Sequence, residues 1–233
     1  MDVFGEALKD YFYSFSGDLL LLHNSYGEAE EMPTDIFFRS EADLPGLEKY
    51  ALNLCKGRIL DVGAGAGSHA LILQHQGQDV TALEISALAS EVIRQRGVDK
   101  VVTGDILDYQ GEKFDTVLLM MNGIGLVETL DGLKKFLRHA RQLIHPSGQL
   151  IFDSSDISYL YEHEPRRQDK PYFGEIRYQY EYKGIKGNWF GWLYVDQETL
   201  FEIAAHEGWL TQIVYENDDD QYLARLIMTD TPR

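Results

Sequence analysis

The chain has 233 residues, 44% of them hydrophobic, which is enough apolar material for one domain with a sizeable core. Its 38 acidic residues against 21 basic ones leave a net charge of -17, a field that repels phosphate backbones and disfavours a nucleic-acid substrate. No apolar run approaches the roughly 20 residues that cross a bilayer, and the opening Met1-Asp2-Val3-Phe4-Gly5-Glu6 lacks the basic region and small-residue cleavage site of a secretory signal, so a cytoplasmic protein with no membrane partner is expected.

In chain order, residues 1 to 42 read as a lid segment preceding the core. Leu19 to Leu22 is a brief apolar run suited to a core or docking element, and the stretch from Asn24-Ser25-Tyr26-Gly27 to Met32-Pro33 and Phe37-Phe38-Arg39 reads as a loop followed by an aromatic anchor. Leu47, Tyr50, Ala51 and Leu54 recur at helical spacing until Gly57 stops them. The single cysteine, Cys55, has no partner for an intramolecular disulfide and falls in that apolar pattern as a small buried hydrophobe. A strand over residues 58 to 62 follows, then a helix over 68 to 76 ended by Gly77 and a strand over 78 to 84. A helix over 87 to 96, a short strand over 101 to 103, a strand over 114 to 121, a helix over 129 to 144 and a strand over 149 to 153 complete the alternation. This order calls for a parallel sheet covered by helices on both faces.

The strand over 58 to 62 runs directly into Gly63-Ala64-Gly65-Ala66-Gly67. Glycines alternating with alanine leave the backbone open to a ligand and supply the positive φ that such a turn requires. The spacing is G-x-G-x-G, whereas the dinucleotide fingerprint places its third glycine one position later; Ser68 stands there. Asp61 closes the strand with a carboxylate. Glu84 ends the next strand about twenty residues past the first glycine, the distance at which an acid meets ribose hydroxyls, and Gly104-Asp105-Ile106 places another acid at the same sheet edge.

Together, Asp61-Val62-Gly63-Ala64-Gly65-Ala66-Gly67, Glu84 and Gly104-Asp105-Ile106 resemble the class I, Rossmann-like S-adenosylmethionine-dependent methyltransferases of small-molecule type, over roughly residues 43 to 153 and the C-terminal strands. The resemblance implies an α/β fold built on a seven-stranded, mostly parallel sheet closed by a C-terminal antiparallel hairpin. It implies S-adenosylmethionine as cofactor and S-adenosylhomocysteine as product. Gly63, Ala64, Gly65 and Gly67 would lie against the methionine part with Asp61 near its amino group. Glu84 would bind both ribose hydroxyls, Ile85 and Ile106 would flank the adenine, Asp105 would contact its amine, and Asn122 would face the methionine moiety and the acceptor.

Residues 154 to 195 exceed what a minimal fold of this kind needs. Ile176, Tyr178, Tyr180 and Tyr182 alternate with charged and polar neighbours, Gly184 and Gly187 turn the chain, and Trp189-Phe190-Gly191-Trp192-Leu193-Tyr194-Val195 returns it; this predicts an inserted aromatic β-hairpin laid over the carboxyl edge of the sheet. Its role is open: a cap over the acceptor pocket, or instead a packed sheet extension or the surface of a homodimer. Residues 196 to 233 supply a closing helix over 197 to 207 and strands over 210 to 215 and 222 to 228.

Methyl transfer from a sulfonium needs positioning more than a nucleophilic side chain. A base is required only for an acceptor that holds its proton, and the candidates are His23, Tyr26, His69 and Asp153. Tyr26 and Arg39 could also touch the cofactor carboxylate or the acceptor, or simply satisfy a loop carbonyl and cap a helix. His75, His139, His145, His163 and His206 lack ligand spacing, and Asn122 stands where catechol-type enzymes carry a metal-binding acid, so no metal is expected. The chain also lacks the Asn-Pro-Pro-Tyr-like run of amino-group nucleic-acid methyltransferases and the Pro-Cys pair of pyrimidine methyltransferases, which leaves a small-molecule acceptor at oxygen, nitrogen or carbon. The rival readings are a non-catalytic cofactor-binding or interaction module and an NAD(P)-dependent oxidoreductase. Against the second, the Tyr-x-x-x-Lys spacing of Tyr182 and Lys186 falls at a glycine turn rather than on one helix face.

Overall fold

The structure, a computed structural model, describes residues 1–14, 18–161, 172–218 and 220–229. In chain order the elements are α1 (Val3–Ser14), β1 (Leu20–Asn24), β2 (Glu30–Met32), α2 (Gly46–Leu54), β3 (Arg58–Val62), α3 (Ser68–His75), β4 (Asp79–Glu84), α4 (Ala87–Gln95), β5 (Val101–Thr103) and β6 (Phe114–Leu119). There follow α5 (Leu130–Leu143), β7 (Ile144–Ser155), β8 (Glu175–Tyr182), β9 (Ile185–Lys186), β10 (Phe190–Leu193), α6 (Gln197–His206), β11 (Trp209–Glu216) and β12 (Gln221–Met228). Short 3-10 turns occupy Thr34–Phe38, Glu41–Asp43, Gly123–Val127 and Ser158–Tyr161.

Seven strands form the main sheet in the order β11-β12-β7-β6-β3-β4-β5. Its strands from β7 to β5 pair in parallel, while β12 and β11 join antiparallel and close the edge. Apolar side chains alternate along each central strand, because successive residues of a strand point to opposite faces. Leu60, Val117, Leu119, Leu150 and Phe152 meet α5 and α6 through Phe136, Leu137 and Leu200. Ile59, Ala82, Leu118 and Ile151 meet α2, α3 and α4 through Leu47, Ala51, Leu73 and Ile93 on the other face. Three helices start on side-chain caps, the Ser86 and Thr129 hydroxyls and the Asp196 carboxylate accepting from Ala89, Gly132 and Thr199, which satisfies donors that the first turn leaves free. Cys55 is buried, its thiol pushed up to about 12 by burial and by the Asp61 charge.

Three features depart from the expectations. The strand expected over 149 to 153 begins at Ile144 and runs through Pro146, with a register shift against β6 between Phe114 and Thr116 that absorbs the interruption. The N-terminal segment is more than a loop with an anchor: it holds helix α1 and the strand pair β1 and β2. The expected aromatic hairpin forms, but as part of a larger sheet. Its strands β8 and β10 pair antiparallel and join β1 and β2 in a second, five-stranded sheet of order β10-β8-β1-β2, with β9 on β8. The apolar run at Leu19 to Leu22 enters β1 from Leu20 onward, inside this sheet, where Leu20 and Leu22 oppose Tyr182 and Tyr180. An isolated hairpin is marginal in water; the extra strands and α1, which packs Val3 and Ala7 against Leu20 and Tyr182, give the insert its own small core. Among the described residues no helix is long and apolar enough to cross a membrane.

Candidate functional site

β3 has β4 on one side and β6 on the other, and chain order reverses there; ligands of open α/β sheets bind outside the carboxyl ends of strands at such a point. A cavity of about 820 Å³ lies there, floored by the ends of β3, β4 and β6 and roofed by the second sheet and the start of α1. That size falls in the upper part of the range of about 300 to 1,000 Å³ usual for small-molecule sites.

Gly63, Ala64 and Gly65 line the cavity. The turn is tied to β4 by the Gly63 and Ala64 N–H groups, which donate to the Leu83 carbonyl at 2.9 and 3.2 Å, and Gly63 and Gly65 take φ of 68° and 57°. Glu84 is 5% exposed. Its carboxylate accepts the Gly65 N–H at 2.8 Å and the Ser86 N–H at 2.9 Å. Burial pushes its pKa up to about 7 against the pull of these donors.

Asp61 is 1% exposed, and its Oδ2 has no hydrogen-bond partner among the described residues. Burial raises its pKa, opposed by the charge of His69. A buried carboxylate oxygen without a donor costs free energy unless a ligand supplies one, and this one lines the cavity beside the glycine turn. His69 pairs with Glu48 at 2.6 Å, and Glu48 also receives both contacts of the Arg39 guanidinium at 2.8 and 2.9 Å. Burial alone would lower His69, but the Glu48 hydrogen bond and the Asp61 and Glu48 charges outweigh it and raise its pKa. Burial alone would raise Glu48; His69 and Arg39 reverse that and lower it.

Of the other expected residues, Ile85, Asp105 and Ile106 line the cavity. Gly67 does not; it begins α3 at φ 82°, where a Cβ would meet Ile93 at 3.0 Å, so it serves the packing of α3 on α4. Asn122 also stands outside the lining. It sits in a left-handed conformation beside Met121, which does line the cavity, and its side chain accepts from the Ser155 hydroxyl. Asp153 lies fully buried beneath that turn, accepting from the Asn122 and Gly123 N–H groups at 2.8 and 3.4 Å and from Gln221 at 2.9 Å; burial pushes it up to about 6 against those bonds. It braces the turn rather than facing a ligand. His23 is paired with Glu181 at 2.7 Å and lies off the cavity, while His163 falls outside the described residues. Tyr26 too is off the lining, but its hydroxyl donates to Glu30 at 2.8 Å and meets the hydroxyl of Tyr178, a lining residue, at 3.3 Å.

The roof is aromatic. Phe4 stacks on Tyr180 at 5.2 Å and meets Phe37 edge-on at 5.1 Å, Tyr180 neighbours Phe190 at 5.1 Å, and Phe190 meets Trp192 at 6.2 Å. Glu128, which the sequence did not single out, lines the same wall at φ 67°. A non-glycine residue held there is strained, and Gly191 leaves the space its side chain occupies, since a Cβ at 191 would lie 2.7 Å from that of Glu128. No residue type or spacing near position 128 announces such a conformation. The contribution of α1 was more accessible: Val3, Phe4, Ala7 and Leu8 recur at helical spacing.

The chain is similar to several known proteins. The methyltransferase domain family matches residues 60–152. A crystal structure of a SAM-dependent methyltransferase from Bacteroides fragilis, in complex with S-adenosyl-L-homocysteine, superposes with a TM-score of 0.91 at 38% identity, covering 98% of this chain and 95% of that one. Two curated relatives match over shorter stretches. The polyamine aminopropyltransferase of Vibrio vulnificus is 30% identical over 146 residues, 56% of this chain and 48% of its own. The malonyl-[acyl-carrier protein] O-methyltransferase of Enterobacter lignolyticus is 31% identical over 98 residues, 41% of this chain and 38% of its own. The chain thus spans less than half the length of the curated relatives it matches.

Proposed function

This chain belongs to the S-adenosylmethionine-dependent methyltransferase family, and from that premise we propose that it methylates a small molecule held between the glycine turn and the aromatic roof. The observation that carries the reading is the meeting, in one cavity, of the Gly63 to Gly65 backbone, the Glu84 carboxylate and the unpartnered Asp61 Oδ2.

These residues fit the cofactor. Asp61 Oδ2 lacks the donor that an α-ammonium would bring, and the turn presents no side chain larger than a methyl to a ligand laid along it. Glu84 keeps unused lone pairs after accepting two backbone N–H groups, which suits the two hydroxyls of a ribose. Ile85 and Ile106 offer apolar faces for a base, with Asp105 on the same lining to accept from an amino group. When bound, S-adenosylmethionine supplies a methyl group on a sulfonium that departs as a neutral thioether.

The remaining work is placement. Holding an acceptor in line with the methyl carbon accounts for roughly 7 to 11 kcal/mol of barrier in well-oriented systems, and the rigid wall of Phe4, Tyr180, Phe190 and Trp192 is suited to that task and to keeping water out. Asp153 and His23 are engaged elsewhere and are not assigned as bases. Titration calorimetry with S-adenosylmethionine, S-adenosylhomocysteine and NADH tests the reading: the first two should bind and NADH should not. Binding of NADH alone would overturn it.

A further inference from the structure

Three tyrosines and one glutamate form a chain of hydroxyl contacts from the cavity to the surface. Tyr194 meets Tyr178 at 3.1 Å, Tyr178 meets Tyr26 at 3.3 Å, and Tyr26 donates to Glu30 Oε1 at 2.8 Å. Asn24 donates to the same oxygen at 3.0 Å. The directions are fixed by proton counting. A carboxylate only accepts, and a tyrosine hydroxyl has one proton to give. Tyr26 spends its proton on Glu30, so at the next contact it accepts and Tyr178 donates; Tyr178 is then spent, so Tyr194 donates to it. No hydroxyl proton is left over. Tyr178 and Tyr194, both lining the cavity, can therefore offer a ligand only lone pairs and ring faces.

The wall beside them has the same polarity, although the Tyr180 hydroxyl and the Trp192 N–H stand on it as side-chain donors without an acceptor among the described residues. Among the described residues, Arg39 and His69 are the lining side chains that can carry positive charge, and both are bound to Glu48; the other cation on the lining is the N-terminal ammonium of Met1. The Glu128 carboxylate, on the wall beside Gly191, makes no hydrogen bond to any described residue, and the nitrogen edge of Trp192 packs against Gly125. Beside Tyr178, Tyr194 and Glu128 an anionic acceptor would meet lone pairs, π-faces and a carboxylate, with no free cationic side chain among the described residues to balance it. A cation would meet ring quadrupoles that attract it, hydroxyl oxygens turned to accept and an unpaired acid.

We infer that the acceptor half of the cavity recognises a small molecule by a cationic amine group, set among Tyr178, Tyr194, Trp192 and Glu128. This rests on the methyltransferase reading above and narrows its substrate class to amines protonated at neutral pH.

Three probes that share one carbon skeleton and differ in their head test it: 3,3-dimethylbutylamine, 3,3-dimethylbutan-1-ol and 3,3-dimethylbutanoate, titrated calorimetrically into the protein with and without saturating S-adenosylhomocysteine. The ammonium should bind more tightly than the alcohol by about tenfold, the scale of a partly desolvated cation–π contact, and the carboxylate should not bind. Tyr26→Phe, which lies off the cavity, removes the acceptor for the Tyr178 proton and frees one hydroxyl to point inward. That variant should lose most of the preference for ammonium over alcohol while keeping its affinity for S-adenosylhomocysteine, a change in ratio that a merely structural role would not produce. Equal or tighter binding of the alcohol or the carboxylate overturns the inference, as does silence from all three probes while S-adenosylhomocysteine binds. Failure of S-adenosylhomocysteine to bind counts against the cofactor reading instead, and the probe ranking without it still decides the question of charge.

Discussion

The Gly65 N–H donates to Glu84 Oε2 across 2.8 Å, so the centre of the glycine turn and the acid at the end of β4 are one unit. Removing the acid therefore acts twice, on a ligand and on the turn. Glu84→Ala should weaken binding of S-adenosylmethionine and S-adenosylhomocysteine by about 1.5 to 3 kcal/mol, the range for hydrogen bonds to a charged group. Unchanged affinity in a folded variant, measured by calorimetry, would remove Glu84 from the ribose site.

The same carboxylate predicts a pH dependence. Burial raises its folded pKa to about 7 from the ordinary 4.5, so the ligand-free protein binds a proton there that the unfolded chain has released. Stability associated with Glu84 is present below about pH 4.5 and is lost as pH rises through about 7. A ribose that donates to the carboxylate favours its ionised form, so binding should release a proton between those limits. Calorimetry near pH 6 in buffers of different ionisation enthalpy should detect that release in the wild type and not in Glu84→Gln.

Two glycines of the turn should separate by phenotype. Gly65 faces the cavity and Gly67 faces Ile93, although both have positive φ. Gly65→Val should abolish measurable cofactor binding by filling the cradle. Gly67→Ala should instead lower stability, because a left-handed alanine costs about 1 to 2 kcal/mol before its crowding against Ile93. Chemical denaturation paired with calorimetry distinguishes them; equal losses of affinity would put both in the cradle.

The half of the cavity proposed for the cofactor was legible because its determinants are local. Asp61, Gly63, Gly65 and Glu84 lie at strand ends that apolar runs and glycines mark in the sequence, and parallel pairing of β3 with β4 brings them together. The roof was half legible. Alternating tyrosines announced β8, but its partner β1 lies more than 150 positions earlier, as the pairing of Leu22 with Tyr180 shows, and no local pattern specifies a pairing at that distance. Asn122 and Asp153 were chosen for their place after strands, whereas the left-handed turn at Met121 and Asn122 carries the chain so that Asp153 is spent on backbone donors.

The buried cluster of Arg39, Glu48 and His69 should govern stability around neutrality. Glu48, lowered by its partners, contributes above its ordinary range near 4.5 and loses that contribution as pH falls through its lowered folded value. His69, raised above 6.5, contributes below that value and loses it as pH rises through its raised folded value. Glu48→Gln leaves the buried His69 and the partly buried Arg39 under-compensated, and breaking a buried pair in this way typically costs about 3 to 5 kcal/mol. The deficit should be largest between the two ordinary pKa values and shrink above them as His69 releases its proton; a deficit independent of pH in thermal denaturation would show that the cluster carries no ion pair.

Asp153 offers the last test, because the sequence proposed it as a base and its contacts make it a brace. Asp153→Asn presents an amide donor to three donors, from Asn122, Gly123 and Gln221, and leaving one of them unsatisfied should cost about 1 to 3 kcal/mol. The sign of the pH trend is fixed by the raised folded value of about 6 against 3.8. The wild type gives up stability as pH rises through that interval, since it must then ionise a buried carboxyl, whereas the amide has nothing to ionise. The stability gap between them should therefore be widest near pH 4 and narrow toward pH 7, with affinity for S-adenosylhomocysteine unaltered throughout. A variant that folds as well as the wild type at pH 4 and loses the cofactor would return Asp153 to the site.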